Sequence, residues 1–136
     1  MQVAIRELHS ASRSEALNEE WILVENIGST PFRSLGCSVH VARSLGGRGH
    51  RVGTTIDPGF LLRPGERIRM VTGTPGRKAE GTPPSEDEVK NYHLFLKAPV
   101  LADGRGTVVR LVVNQAELCH AVFDPEAAGG IAAEPE

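Results

Sequence analysis

The sequence predicts an all-β protein, an antiparallel sandwich or barrel. Three observations support this. Apolar and polar residues alternate with a period of two in short runs along the chain. Gly and Pro, 15 and 9 of the 136 residues, separate those runs with turns. The two helix-like stretches, "SEALNEE" and "SEDEVKN", are too short for more than one or two turns.

Taken in order, "QVAIREL" is a short β-prone run. "EEWILVENIGS" is a stronger strand, closed by the Asn26 and Gly28 turn residues. "SLGCSVHVARS" alternates, with Cys37, Val39 and Val41 on one face and Ser38, His40 and Ala42 on the other. "SLGGRGHRVG" reads as a glycine-rich basic loop carrying Arg43, Arg48, His50 and Arg51. "TTIDPGFLL" turns at Pro58 and Gly59, and "LLRPGERIRMVTG" turns again at Pro64 and Gly65. The strand that follows points Ile68 and Met70 one way and Arg67, Arg69 and Val71 the other, and Gly73 ends it. "GTPGRKAEGTPPSEDEVK" is a long loop of mixed charge. "NYHLFLKAPV", "GTVVRLVVN" and "AELCHAVFD" complete seven or eight strands. "DPEAAGGIAAEPE" is a tail too polar and small-sided to pack well. The chain has no internal repeat.

A chain of 136 residues suits one domain. It should bury roughly two-thirds of its unfolded surface, enough for a core without metal or disulfide. The net charge of −2 argues against a general pull toward nucleic acid or anionic membrane. No apolar run approaches the ~20 residues that span a bilayer. "MQVAIRELHS" lacks the features of a signal peptide, so the expected location is cytoplasmic. Cys37 and Cys119 are then expected to be free, buried thiols rather than a bridge.

Three stretches carry a resemblance. "NEEWILVENIGSTPFRSLGCSV" places Asn26, Gly28, Pro31, Leu35 and Gly36 as an Asn-x-Gly turn, a proline turn and a Leu-x-Gly corner. "IDPGFLLRPGERIRMVTG" carries a Leu-x-Pro-Gly-Glu turn before a strand. "VLADGRGTVVRL" adds a polar turn feeding a Val/Leu strand. Together these are similar to the lamin-tail domain, found in nuclear lamins and as a module in many bacteria. The resemblance implies an immunoglobulin-like antiparallel β-sandwich over residues 1–124, a divergent bacterial-type member, with a flexible tail at 125–136. Where the family usually has tryptophan after Leu-x-Gly, this chain has Cys37, and its Trp-Asn-Asn turn is reduced to Ala102 through Thr107. Trp21, Phe32 and Phe60 are the aromatics expected to fill the interior instead. The family carries no catalytic constellation, so the resemblance implies a non-catalytic, cofactor-free interaction or scaffold module, binding a protein partner or itself.

The candidate sites follow from residue chemistry. If Ile22 and Val24 face the core, Trp21 and Leu23 face outward, a large apolar area on the wet side. Either the N-terminal segment or the 73–90 loop covers it, or it is a partner-binding patch rimmed by Arg67 and Arg69. Arg43, Arg48 and Arg51 support an alternative, nucleic-acid binding through backbone charge, although an ordinary solvated hairpin loop is the simpler reading of them. "GGRGH" lacks the Lys-Ser/Thr of a phosphate loop. The five histidines have no metal-ligand spacing, and no G-x-S-x-G elbow appears, so no metal and no enzyme chemistry are expected. Glu19, Glu20 and Glu25 read as solvated edge charges.

Overall fold

The structure, a computed structural model, describes residues 2–133. Ten strands form: β1 (Val3–His9), β2 (Trp21–Asn26), β3 (Phe32–Arg33), β4 (Ser38–Ala42), β5 (His50–Val52), β6 (Leu61–Leu62), β7 (Arg67–Val71), β8 (Lys90–His93), β9 (Val108–Val113) and β10 (Ala116–Val122). Two four-stranded sheets, ordered β1-β2-β7-β8 and β10-β9-β4-β5, pack face to face as a sandwich, with β3 and β6 as a separate ribbon. Among the described residues both sheets keep free edges, so the barrel alternative is not adopted. All strand pairs are antiparallel except β7–β8, which is parallel because the long segment between them returns the chain to the same end. No helix among the described residues is long and apolar enough to cross a membrane.

The alternation read from the sequence decides the core. Ile22, Val24, Ile68 and Met70 from one sheet meet Val39, Val41, Val109 and Leu111 from the other. Each such side chain, fully buried, contributes about 1.5–3 kcal/mol. β1 would lose its phase without a correction. A register shift between Ile5 and Glu7 lets Leu8, rather than Glu7, follow Val3 and Ile5 into the core. β10 carries a matching shift between Glu117 and Cys119. These two bulged strands lie against each other and close one side of the sandwich. The edges β8 and β5 bound the other side.

The Asn-x-Gly and Leu-x-Pro-Gly-Glu elements meet at one node. The Asn26 side chain donates to the carbonyls of Thr30 and Leu62, each at 2.9 Å, and its Oδ1 accepts the Gly28 amide at 2.9 Å. The Asn26 backbone accepts from Gly65 and donates to Glu66, and the Glu66 side chain accepts the Arg63 amide at 2.6 Å. Two turns distant in sequence are thereby fastened through one buried amide.

Several expectations change. β3, β5 and β6 are strands that the sequence pattern does not announce, because two or three residues are too few for periodicity to register. The glycine-rich loop therefore contains β5, and Arg51 sits on a strand. "SEALNEE" holds a single 3-10 turn, Leu17–Glu19, while "SEDEVKN" forms no helix. "NYHLFLKAPV" is strand only to His93, because Phe95 has φ +56° and breaks the pleat. Phe32 is in the core and Phe60 packs against it, but Trp21 lies on the outer sheet face and fills no interior space. Val71 is 0% exposed despite its outward phase. The 3-10 turn Leu17–Glu19 packs on β7 and on a second turn, Lys78–Glu80, at that end of the sheet.

Residues 125–133 fold back instead of trailing away. Phe123 bridges to Ile131, the Ala132 amide donates to Val122, and Ile131 packs against the core. Gly130 permits this, because a Cβ there would stand 1.9 Å from the Leu8 carbonyl oxygen. The tail expectation for residues 134–136 lies outside the described residues.

Candidate functional site

Three surfaces carry the chemistry. The first is the outer face of the β1-β2-β7-β8 sheet. Cross-strand register places Leu23 opposite Arg69 and Glu25 opposite Arg67, so Trp21, Leu23, Arg67 and Arg69 do share one face. Trp21 and Leu23 are each half-buried. The His9 ring stacks on Trp21 with centroids 3.9 Å apart and planes 1° from parallel. The indole N–H donates to Glu7 Oε1 at 2.6 Å, and the Arg69 guanidinium lies 5.9 Å from the Trp21 ring. Arg69 also donates to the Val89 carbonyl at 3.2 Å and to Asn91 Oδ1 at 3.3 Å. Arg67 and Arg6 both reach Glu25, at 3.4 and 3.2 Å. Such exposed pairs contribute about 0–1 kcal/mol. The polar groups on this face are thus largely engaged within the chain, and strand β1 supplies much of the cover.

The second surface is the outer face of the other sheet. In-register pairing lines up Arg51 of β5, His40 of β4, Arg110 of β9 and His120 of β10 across four strands. At the usual strand spacing the row spans roughly 14 Å. Glu117 balances one end, at 3.0 Å from both Arg110 Nε and His120 Nδ1. Arg110 further donates to the Leu45 carbonyl at 2.7 Å, which fastens the β4–β5 hairpin to the sheet. His40 Nε2 lies 3.1 Å from Ser38 Oγ. Burial holds the His40 ring below the ordinary histidine range, and the neighbouring Arg51, Arg110 and His50 lower it further. Its nearest charged neighbours are therefore arginines rather than an orienting acid. Arg43 stands 3.9 Å from Asp103. Among the described residues, Arg48 and Arg51 meet no carboxylate.

The third surface, which the sequence did not reveal, is the open side of the sandwich. Two adjoining depressions of about 520 and 490 Å³ share Val52, Gly53, Phe95 and Leu96 and form one trough along β5. The Leu94 and Leu96 amides donate to the Val71 and Thr72 carbonyls, both at 2.8 Å, which anchors the segment facing β5. Between them Phe95 projects, 61% exposed. Gly53 has φ +72°, and a Cβ there would stand 2.4 Å from Leu96 Cδ2. Glycine thus allows the anchored segment to close on the β5 hairpin. Phe95 could not be singled out by pattern, because the phase of its run places it beside two core-packing leucines.

Glu20 is the clearest revision. Expected as a solvated edge charge, it is 1% exposed. Its Oε1 accepts Thr72 Oγ1 at 2.5 Å and the Val100 amide at 2.7 Å, and its Oε2 accepts the Leu101 amide at 3.1 Å. The usable signal was parity, since Glu20 shares the phase of inward-facing Ile22 and Val24. Its position is structural, tying residues 100–101 to β2 and β7. Cys37 and Cys119 are free and buried. Burial raises both thiols, Cys119 to about 12 with the Glu117 charge adding to the shift. No group of three or more His, Cys, Asp or Glu residues among the described residues is arranged to hold a metal ion.

Compared with known proteins, the sequence matches no family model and no curated protein.

Proposed function

We propose that this chain is a non-catalytic protein-interaction module, a divergent immunoglobulin-like sandwich of lamin-tail type, that takes a partner protein in the trough between β5 and residues 94–99. One observation carries the reading. Phe95 is held at positive φ and 61% exposed over an apolar trough on the unclosed side of the sandwich. A bulky residue in that conformation is costly, and exposed aromatic area of this kind is characteristic of protein contacts. The Trp21 face is the weaker candidate because its polar groups are engaged internally. Two free thiols suit a reducing compartment, and the cytoplasm is the setting we assign.

The test replaces Phe95 with the photocrosslinker p-benzoylphenylalanine in the expressing cell, with the same replacement at Trp21 as control. An adduct to a second protein from position 95 and none from position 21 is expected. Adducts only from position 21, or only to another copy of this chain, would overturn the assignment.

The in-register row of Arg51, His40, Arg110 and His120 favours a second reading, in which this face and the Arg43, Arg48 and Arg51 hairpin hold a nucleic-acid backbone. That reading requires duplex binding that weakens steeply between 50 and 200 mM salt, measured by fluorescence anisotropy.

A further inference from the structure

The trough has two walls of different chemistry. Among the described residues β5 pairs with β4 on one side only, leaving its other edge open. Its side chains alternate. His50 and Val52 line the trough, while Arg51 stands on the outer face beside His40. A strand added along that edge must alternate in the same way. Its inward residues would lie over Val52, Leu96 and Phe95, and its outward residues would stand beside Arg51 with Arg48 close along the hairpin.

The charges around that edge favour an anion. Neither Arg48 nor Arg51 meets a carboxylate among the described residues, and Arg43 holds Asp103 only at 3.9 Å. Arg51 faces His40 directly, and His40 faces Arg110, so no acid stands opposite Arg51 along the row. Opposite charges facing each other across strands are stabilising, so an acidic side chain on an added strand would give Arg51 the partner it lacks. Lys97 adds a further cation on the trough wall. Asp57 and Asp103 line the trough too, but each borders only one of its two depressions, away from the shared centre. A second copy pairing β5 symmetrically would set Arg51 against Arg51, which disfavours self-association here.

We infer that the trough binds an extended peptide segment of a partner protein in which acidic residues alternate with apolar ones, added as a fifth strand on β5. This deepens the proposed function and rests on it. The apolar set supplies burial against Phe95 and Leu96, and the acidic set supplies orientation and selectivity through Arg51 and Arg48.

The experiment is a selection from a random heptapeptide library displayed on phage, run against the whole chain, Arg51→Glu and Phe95→Asn in parallel. Both sites are exposed, and asparagine tolerates the positive φ at 95, so both variants should fold with unchanged circular dichroism. Wild type should enrich peptides alternating acidic and apolar residues. Arg51→Glu should replace the acidic positions by Lys or Arg and weaken the synthetic wild-type consensus peptide at least tenfold by calorimetry. Phe95→Asn should enrich no peptide family. Peptides without acidic alternation, or a consensus unchanged by Arg51→Glu, would overturn this inference while leaving the trough as a docking site. Failure of wild type to enrich any family, or peptides indifferent to Phe95→Asn, would overturn the trough reading and this inference with it. Arg51-dependent binding of a 20-base-pair duplex with no peptide enrichment would overturn both in favour of the nucleic-acid reading.

Discussion

Glu20 and Thr72 share a 2.5 Å hydrogen bond across the β2–β7 pair, in a site that is 1% exposed at both residues. The same carboxyl caps two amides from residues 100 and 101, so one side chain joins three chain segments. Removing it leaves a buried hydroxyl and two buried amides without their acceptor. Glu20→Ala should cost about 3 kcal/mol, read from the urea midpoint. Glu20→Gln keeps one acceptor oxygen and should cost less than the alanine variant. Equal stability of Glu20→Ala and wild type would refute the structural role.

Asn26 makes a different demand, for donors as well as an acceptor. Its amide nitrogen feeds two carbonyls while its oxygen takes the Gly28 amide. Asn26→Asp matches the shape but turns an acceptor toward the Thr30 and Leu62 carbonyls. It should therefore destabilise at least as much as Asn26→Ala, both by about 2 kcal/mol or more in chemical denaturation. A well-tolerated aspartate would mean the node is held by the backbone alone.

Cys119 connects burial to alkaline stability. Its folded thiol titrates at about 12 against 9.0 for the free group. The folded state thus holds the proton more tightly than the unfolded chain does. The stabilisation is complete below pH 9 and is lost as pH rises from 9 toward 12. Cys119→Ala should flatten the loss of stability across that window, whatever it costs at neutral pH. Both thiols should also resist alkylation at pH 8 until denaturant is added, checked by intact mass.

His40 shifts the other way, through burial first and then Arg51, Arg110 and His50. The folded state binds its proton less tightly than the unfolded chain, so its contribution to stability is present above 6.5 and lost as pH falls. Its NMR titration midpoint should lie below 6.5. Arg51→Gln should raise that midpoint without restoring it fully, because burial remains. A midpoint indifferent to Arg51 would separate the two side chains and contradict their placement in one row.

Legibility followed local periodicity. β4 and β7 were readable because their five residues alternate, β9 only as a Val-rich run, and β2 as an apolar run whose phase follows once Ile22 and Val24 face the core. That phase also implied an inward Glu20, although its charge argued for solvent. β5 was not readable, because three residues after a run of glycines carry no period. The Trp21 and Arg69 face could be placed by parity, but its cover by His9 depends on the bulge in β1 and on pairing with a distant strand.

By itself the sequence determined the all-β class, the inward and outward sets of β4 and β7, and the turns at Asn26–Gly28 and Pro64–Gly65. Those features are local, decided by side-chain alternation and by residues that favour a turn. Only the tertiary structure decided that β8 and β5 would be the edges of an open side, that Phe95 would stand over it, and that four cationic or ionisable residues from four strands would fall in one row. These depend on sheet order and register, which are chosen by burial summed over contacts far apart in the chain.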